Sequence, residues 1–326
     1  MNRRRKFIVA LGAGVLAVPF GPFAQPKNKI WRIGFLSGRK SRPDPTADAV
    51  LQGLREFGYV EGKNLLMEYR YVGEMRERTA SFVAELVRLN VDVIVSPNLE
   101  SIVAAKLATK TIPIVFLINQ DPVAAGIVEN LAHPGGNVTG ISRLTRQLTA
   151  KRLELLMEII PGLNRVGILW DANDKSQGLK DYETAARALK LQLHPMEVRG
   201  PKPDFEAAFQ SAGKARVAAF IITRDPIFLD STRQIADLAM RYRLPSIGEG
   251  SEFIDAGCLL SYSTNLVENS KRAAFYVDRI LKGAKPGDLP VEQPTRFDLI
   301  VNKTTADKLG IKIPNSILVR ADKVIG

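Results

Sequence analysis

The sequence predicts an α/β protein of two similar lobes, each built on a parallel sheet covered on both faces. Three observations carry this. From residue 30 onward, short apolar runs alternate with amphipathic stretches. The apolar runs lack interspersed polar residues, as strands buried on both faces do. The pattern also starts twice: Arg165-Val166-Gly167-Ile168-Leu169 repeats Arg32-Ile33-Gly34-Phe35-Leu36, 133 positions later and with a similar order of elements behind it.

In the first half, Trp31 to Ser37 reads as a buried strand. Ala47, Val50, Leu51, Leu54 and Phe57 then recur at helical spacing, and Gly58 stops that helix. Leu65 to Tyr71 is a strand, Thr79 to Leu89 a helix, Val91 to Ser96 a strand, Leu99 to Ala108 a helix and Ile112 to Leu117 a strand. In the second half the strand at Arg165 is followed by a helix over Gly178 to Lys190, a strand over Gln192 to Glu197 and a helix over Asp204 to Gly213. Ala218 to Ile222 is the next strand, Asp230 to Tyr242 a helix and Pro245 to Ile247 a short strand. The tail adds a strand from Cys258 to Tyr262, a helix capped by Asn265 with Glu268 three residues on, a strand from Arg296 to Val301 and a short helix to Leu309.

The first residues predict export. Arg3 to Lys6 form a basic cluster ahead of an apolar run from Phe7 to Phe20, too short for a permanent span. Arg4-Arg5-Lys6-Phe7-Ile8 fits the twin-arginine pattern, with an ordinary secretory signal as the alternative. Cleavage is expected after Ala24, giving a signal over 1–24 and a protein in the periplasm. Without that signal, which holds four basic and no acidic residues, 42 basic residues face 34 acidic ones, a net charge of +8. No dense basic stripe with interleaved aromatics accompanies it, so nucleic acid is not expected as a partner. The single Cys258 excludes an internal disulfide. A chain of this length with 45% apolar residues can hold two cores without one.

Several stretches go further. Ile33-Gly34-Phe35-Leu36-Ser37, Gly53-Leu54-Arg55-Glu56-Phe57-Gly58-Tyr59, Thr111-Ile112-Pro113-Ile114-Val115-Phe116, and Asp121-Pro122-Val123 followed by Pro134-Gly135-Gly136-Asn137-Val138-Thr139-Gly140 stand in order, with Ile280-Leu281-Lys282-Gly283-Ala284-Lys285-Pro286 near the end. On these the whole chain resembles the ABC-transporter substrate-binding proteins whose better-known relatives bind aromatic amino acids such as tryptophan. The resemblance implies a type I periplasmic-binding-protein fold: two Rossmann-like lobes, joined by three crossings, that close on a small solute. It implies lobes over 30–141 plus 263–294 and over 142–262 plus 295–326. It implies a small-molecule solute, amino acid-like as a first expectation, delivered by a monomer to an ABC permease in the inner membrane. A sensory receptor that presents its ligand to a membrane signalling protein is the alternative. After the third strand the chain carries Pro97-Asn98-Leu99-Glu100, where many relatives have small residues and Thr-Pro, so ligand identity does not carry over.

In open parallel sheets the loops at the carboxyl ends of the strands face the ligand. Those loops supply the expected binding residues. Ser37 ends the first strand and suits an anion. Asn98 and Ser101 start the helix after the third strand; Asn98 is read as cap, ligand contact or both. Asn119 and Asp121 follow the fourth strand, Asp121 either holding an ammonium group or capping a helix from Pro122. The second lobe offers Asp171, Asn173 and Asp174, then Thr223 and Asp225, then Glu249 and Glu252, all suited to amino or hydroxyl groups. Tyr262 can stack on a ring, as can Trp170, for which a core position is the commoner case.

No catalytic apparatus is legible. His133 and His194 are the only histidines and lack metal-site spacing. Cys258 lies in an apolar strand, with no histidine in its neighbourhood of sequence. Gly12-Ala13-Gly14 has no strand before it, and no phosphate-binding glycine loop follows any strand. A binder with no cofactor, no metal and no enzymatic activity is therefore expected.

Overall fold

A computed structural model of the chain describes residues 29–73, 75–143, 145–173, 178–200 and 202–326. The expected signal over 1–24 and Asp174 lie outside the described residues.

The first sheet is built from β1 (Trp31–Ser37), β2 (Leu65–Tyr71), β3 (Val93–Ser96), β4 (Ile114–Ile118) and β5 (Val138–Ser142), in the order β2-β1-β3-β4-β5 and parallel throughout. Helices α1 (Pro45–Glu56), α2 (Thr79–Arg88) and α3 (Leu99–Ala108) connect the first four strands. Alternate residues of β1 feed opposite faces, as the pleat requires. Ile33 and Phe35 pack with Leu54 and Val277, while Leu36 packs with Leu86, Ile94 and Ile102. The strand at β5 is absent from the sequence reading, because its five residues include Thr139, Gly140 and Ser142 and show no apolar run.

After β5 the chain enters the second lobe through α4 (Thr149–Ile159), a helix the sequence reading passes over. It continues through β6 (Arg165–Asp171), α5 (Gly178–Ala188), β7 (Gln192–Val198), α6 (Phe205–Lys214), β8 (Ala219–Ile222), α7 (Pro226–Leu229), α8 (Thr232–Arg241), β9 (Ser246–Gly248), α9 (Glu252–Ala256) and β10 (Leu260–Ser263). It then returns to the first lobe as α10 (Leu266–Leu281), whose Ala273, Ala274 and Val277 pack in one core with Val50 and Leu54 of α1. The chain ends in the second lobe with β11 (Asp298–Asn302), α11 (Lys303–Leu309), α12 (Asn315–Arg320) and β12 (Lys323–Ile325). Leu299 and Val301 of β11 share a core with Val166 and Ile168 of β6. The chain thus passes between the sheets three times.

The second sheet runs β12-β11-β10-β9-β8-β6-β7. Every pairing is parallel except β10 with β11, where Leu260 faces Val301 and Tyr262 faces Leu299. This one pairing departs from the parallel pattern because the chain comes back from the first lobe and enters β11 from the opposite end. The repeated pentapeptide has a structural meaning. β1 and β6 occupy the same place, each flanked by the next two strands of its own half, with Ile33 opposite Met67 and Val93, and Val166 opposite Leu193 and Ala219.

Helix starts follow the expected capping chemistry. Asp44 caps α1, with Pro45 in its first turn. Asn98 caps α3 and Asn265 caps α10, accepting from Glu268 N at 3.0 Å. No helix follows Pro122. Asp121 Oδ1 accepts from Val123 N and Ala124 N at 2.8 and 3.2 Å and closes a run of turns.

Candidate functional site

The carboxyl ends of β1, β3 and β4 in one lobe face those of β6, β8 and β9 in the other across a cavity of about 790 Å³. That size lies within the range of small-molecule sites. Ser37, Asn98, Asn119, Asn173, Thr223 and Asp225 line it, so six of the ten expected residues come together from both lobes.

Each of these has local work as well. Ser37 Oγ donates to Asp44 Oδ2 at 2.7 Å and accepts from Arg39 N, which fixes the loop after β1. Asn98 Oδ1 accepts from Ser101 N at 2.9 Å, leaving the amide nitrogen beside the cleft. Thr223 Oγ1 donates to Leu169 O, and Asp225 Oδ1 accepts from Ile227 N to start α7. Asn173 donates from its backbone and side-chain nitrogens to Asp171 Oδ1 at 2.9 and 3.1 Å. Trp170 is 7% exposed and lies on the cleft wall.

The other four expected residues lie off the main cleft. Ser101 is fully buried inside the first turn of α3, since the cap that orients Asn98 turns it into the core. Asp121 is exposed at its turn. Tyr262 packs its ring on Phe297, centroids 6.1 Å apart, and its carbonyl accepts from Arg152 Nε. Glu252 is held by the fork of Arg224, Nη2 at 2.6 Å and Nε at 2.9 Å, beside a small secondary cavity where the lobes join. Burial alone would raise the Glu252 carboxyl, but Arg224 and nearby Arg143 hold it below the usual glutamate range.

Sequence reasoning missed the cations. Arg76, from the turn after β2, donates from Nη2 to Asp171 Oδ2 at 2.6 Å across the cleft. Arg39, in the loop after β1, donates from Nε to Asp230 Oδ1 at 2.9 Å, and Lys40 N donates to Asp230 Oδ2 at 2.8 Å. Behind the second-lobe wall, Arg152 is fully buried and meets Glu249 Oε1 at 3.1 Å, while Tyr182 donates its hydroxyl to the same oxygen at 2.7 Å and Arg224 N donates to Oε2. Burial pushes the Tyr182 hydroxyl far above the usual tyrosine range, so it stays a donor. An arginine in a loop or an amphipathic helix carries no sequence signal of its own, and long-range pairs are not visible before folding.

Four cationic and six anionic side chains among the described residues line the cleft. It is therefore acidic within a chain of net charge +12. His133 and His194 are not part of it, and no group of three or more metal-ligating side chains occurs among the described residues. Cys258 is buried, its thiol pushed up to about 11 by burial. No described helix is long and apolar enough to cross a membrane.

Two α/β lobes that line one cleft with polar strand-end residues have the type I periplasmic-binding-protein fold. The chain belongs to the ABC transporter substrate-binding protein family, whose pattern matches residues 40–325. It is 25% identical over 274 residues to the tyrosine-binding protein of Clostridioides difficile (strain R20291), covering 82% of this chain and 77% of that one. A conserved domain protein of Vibrio cholerae O1 biovar El Tor superposes with a TM-score of 0.81 at 29% identity, over 91% of this chain and 100% of that one. The ABC domain in complex with L-Trp from Streptococcus pneumonia superposes with a TM-score of 0.78 at 25% identity, over 90% and 99% of the two chains.

Proposed function

We propose that this chain is an exported solute-binding protein that hands an amino acid-like solute to an ABC importer, closing its lobes over the solute to do so. The observation that carries this is the shared cleft: side chains from six strand ends, three in each sheet, meet around a cavity of about 790 Å³. A solute that touches both rows favours the form in which they are close, by its differential contact energy. Relatives described as binding tyrosine and L-Trp support an aromatic amino acid. The twin-arginine-like start supports export, and the closed surface of a monomer is what the permease reads. The lobes divide at the three crossings, 30–141 with 263–294 against 142–262 with 295–326. The protein binds and releases its solute without chemistry.

The test is a thermal-shift screen of protein lacking residues 1–24, unfolded and refolded to strip bound solute, against amino acids, sugars, nucleosides, organic acids and polyamines. Ligand at one hundred times its dissociation constant stabilises the fold by about 2.7 kcal/mol. A shift confined to amino acids supports the proposal, and a shift confined to another class replaces the amino acid with a solute of that class. Turnover of a compound that binds would replace it with an enzyme.

A further inference from the structure

Within the cleft, Arg76 reaches from the first lobe to the second. Its Nη2 lies 2.6 Å from Asp171 Oδ2 and 4.0 Å from Asp225 Oδ1. Glu100, at the start of α3, adds to the negative field around it. The two partners differ in their access to water. The Arg76 side chain is 39% exposed, that of Asp171 only 1%. Arg76 can turn away and remain solvated. Asp171 cannot, and its second oxygen already takes both nitrogens of Asn173. A buried carboxylate stripped of its counter-ion is strongly disfavoured. A neutral or purely anionic solute therefore has no means of displacing Arg76, whereas an ammonium group does.

On the reading of the cleft as a solute site, we propose that Arg76 is an internal stand-in for the solute's cationic group and exchanges partners when the solute binds. The solute's ammonium takes Asp171 and Asp225. The released guanidinium, still tethered beside them, takes the solute's carboxylate, which its planar fork fits. The exchange conserves both ion pairs only when ammonium and carboxylate sit next to one another on the solute. That makes Arg76 a determinant of specificity for α-amino acids over amines and over simple carboxylates. It also makes Arg76 a latch that holds the lobes together before the solute arrives.

The experiment compares the wild type with Arg76→Gln, which keeps a polar donor on a shorter side chain and removes the charge. Calorimetric titration with L-tryptophan and with tryptamine, the same ring and ammonium without the carboxylate, reads the exchange. The expected result is opposite signs: tryptamine binds the variant more tightly and L-tryptophan more weakly, so that the ratio of the two dissociation constants moves by about tenfold or more. Small-angle scattering of the ligand-free variant should show a larger radius of gyration than the wild type. Equal shifts for both compounds, no shift, or an unchanged radius would overturn the inference. So would a wild type that binds other solutes but neither member of the pair, with the solute-binding reading left intact. A folded wild type that binds nothing sinks both.

Discussion

Arg152, Glu249 and Tyr182 show how a single cleft wall is made rigid. Glu249 takes three donors, from Arg152, Tyr182 and Arg224 N, and the side chains of Glu249, Arg152 and Tyr182 are all buried. Removing the fully buried Arg152 strips the buried Glu249 carboxyl of its cationic partner. Arg152→Ala should therefore destabilise the fold by about 3–5 kcal/mol, as read by urea denaturation. An unchanged midpoint would mean that the pair is neutral in worth. His194 bears on pH. Burial, with Arg165 nearby, lowers its pKa, and its Nε2 lies 3.0 Å from Ser211 Oγ. The unfolded chain then binds the proton more readily than the native one. Stability is full above the unfolded value of about 6.5 and falls as pH drops through the lower native value. His194→Gln should flatten the fall in unfolding free energy between neutral and mildly acidic pH. A slope equal to that of the wild type would assign the effect elsewhere.

The run from Pro134 to Gly140 shows what an element asks of its sequence. Asn137 Nδ2 donates to Thr109 O and Ile112 O, tying the turn to the connection between α3 and β4, and Thr139 Oγ1 donates to Leu289 O. Gly140 has φ +152°, and a Cβ there would lie 2.2 Å from Phe116 O. Gly140→Ala should separate β5 from β4 and cost about 1–3 kcal/mol or more, measurable by thermal or chemical denaturation. A stable variant would contradict the close approach. The same segment marks the limit of sequence reading. Its motif carries the family resemblance, yet its strand is missed, since two glycines and an asparagine precede five residues with no apolar run. Strands such as β1, β3 and β6 are legible because they are buried on both faces. The site divides in the same way. Ser37, Asn98 and Thr223 are legible from strand ends, a rule of topology. Arg76, Arg39 and Asp44 are not, because their partners lie in other loops or their work is local. Ser101, Asp121, Tyr262 and Glu252 are strand-end or helix-start residues too, but caps, turns and a ring contact turn them from the cleft.

Across the molecule, side chains of the two lobes meet over the cleft. Arg39 and Lys40 N hold Asp230 at one rim, and burial there raises the Asp230 carboxyl despite both cations. Gly38 makes that approach possible. A Cβ on it would lie 2.7 Å from Pro226 Cγ in the other lobe and 2.8 Å from Asn98 Nδ2. Gly38→Ala should leave thermal stability within about 0.5 kcal/mol of wild type. It should weaken solute affinity on the order of tenfold, or about 1.4 kcal/mol, by holding the lobes apart. Affinity equal to wild type in a calorimetric titration would show that the approach is not part of the bound form. A crystal structure of the protein with the solute found in the screen shows whether a small solute sits between the two rows of strand-end loops. The solute is expected between Asn98 and Asn119 on one side and Trp170, Asp171 and Asp225 on the other, with contacts to both lobes. A solute bound to one lobe alone, or outside this cleft, would contradict it.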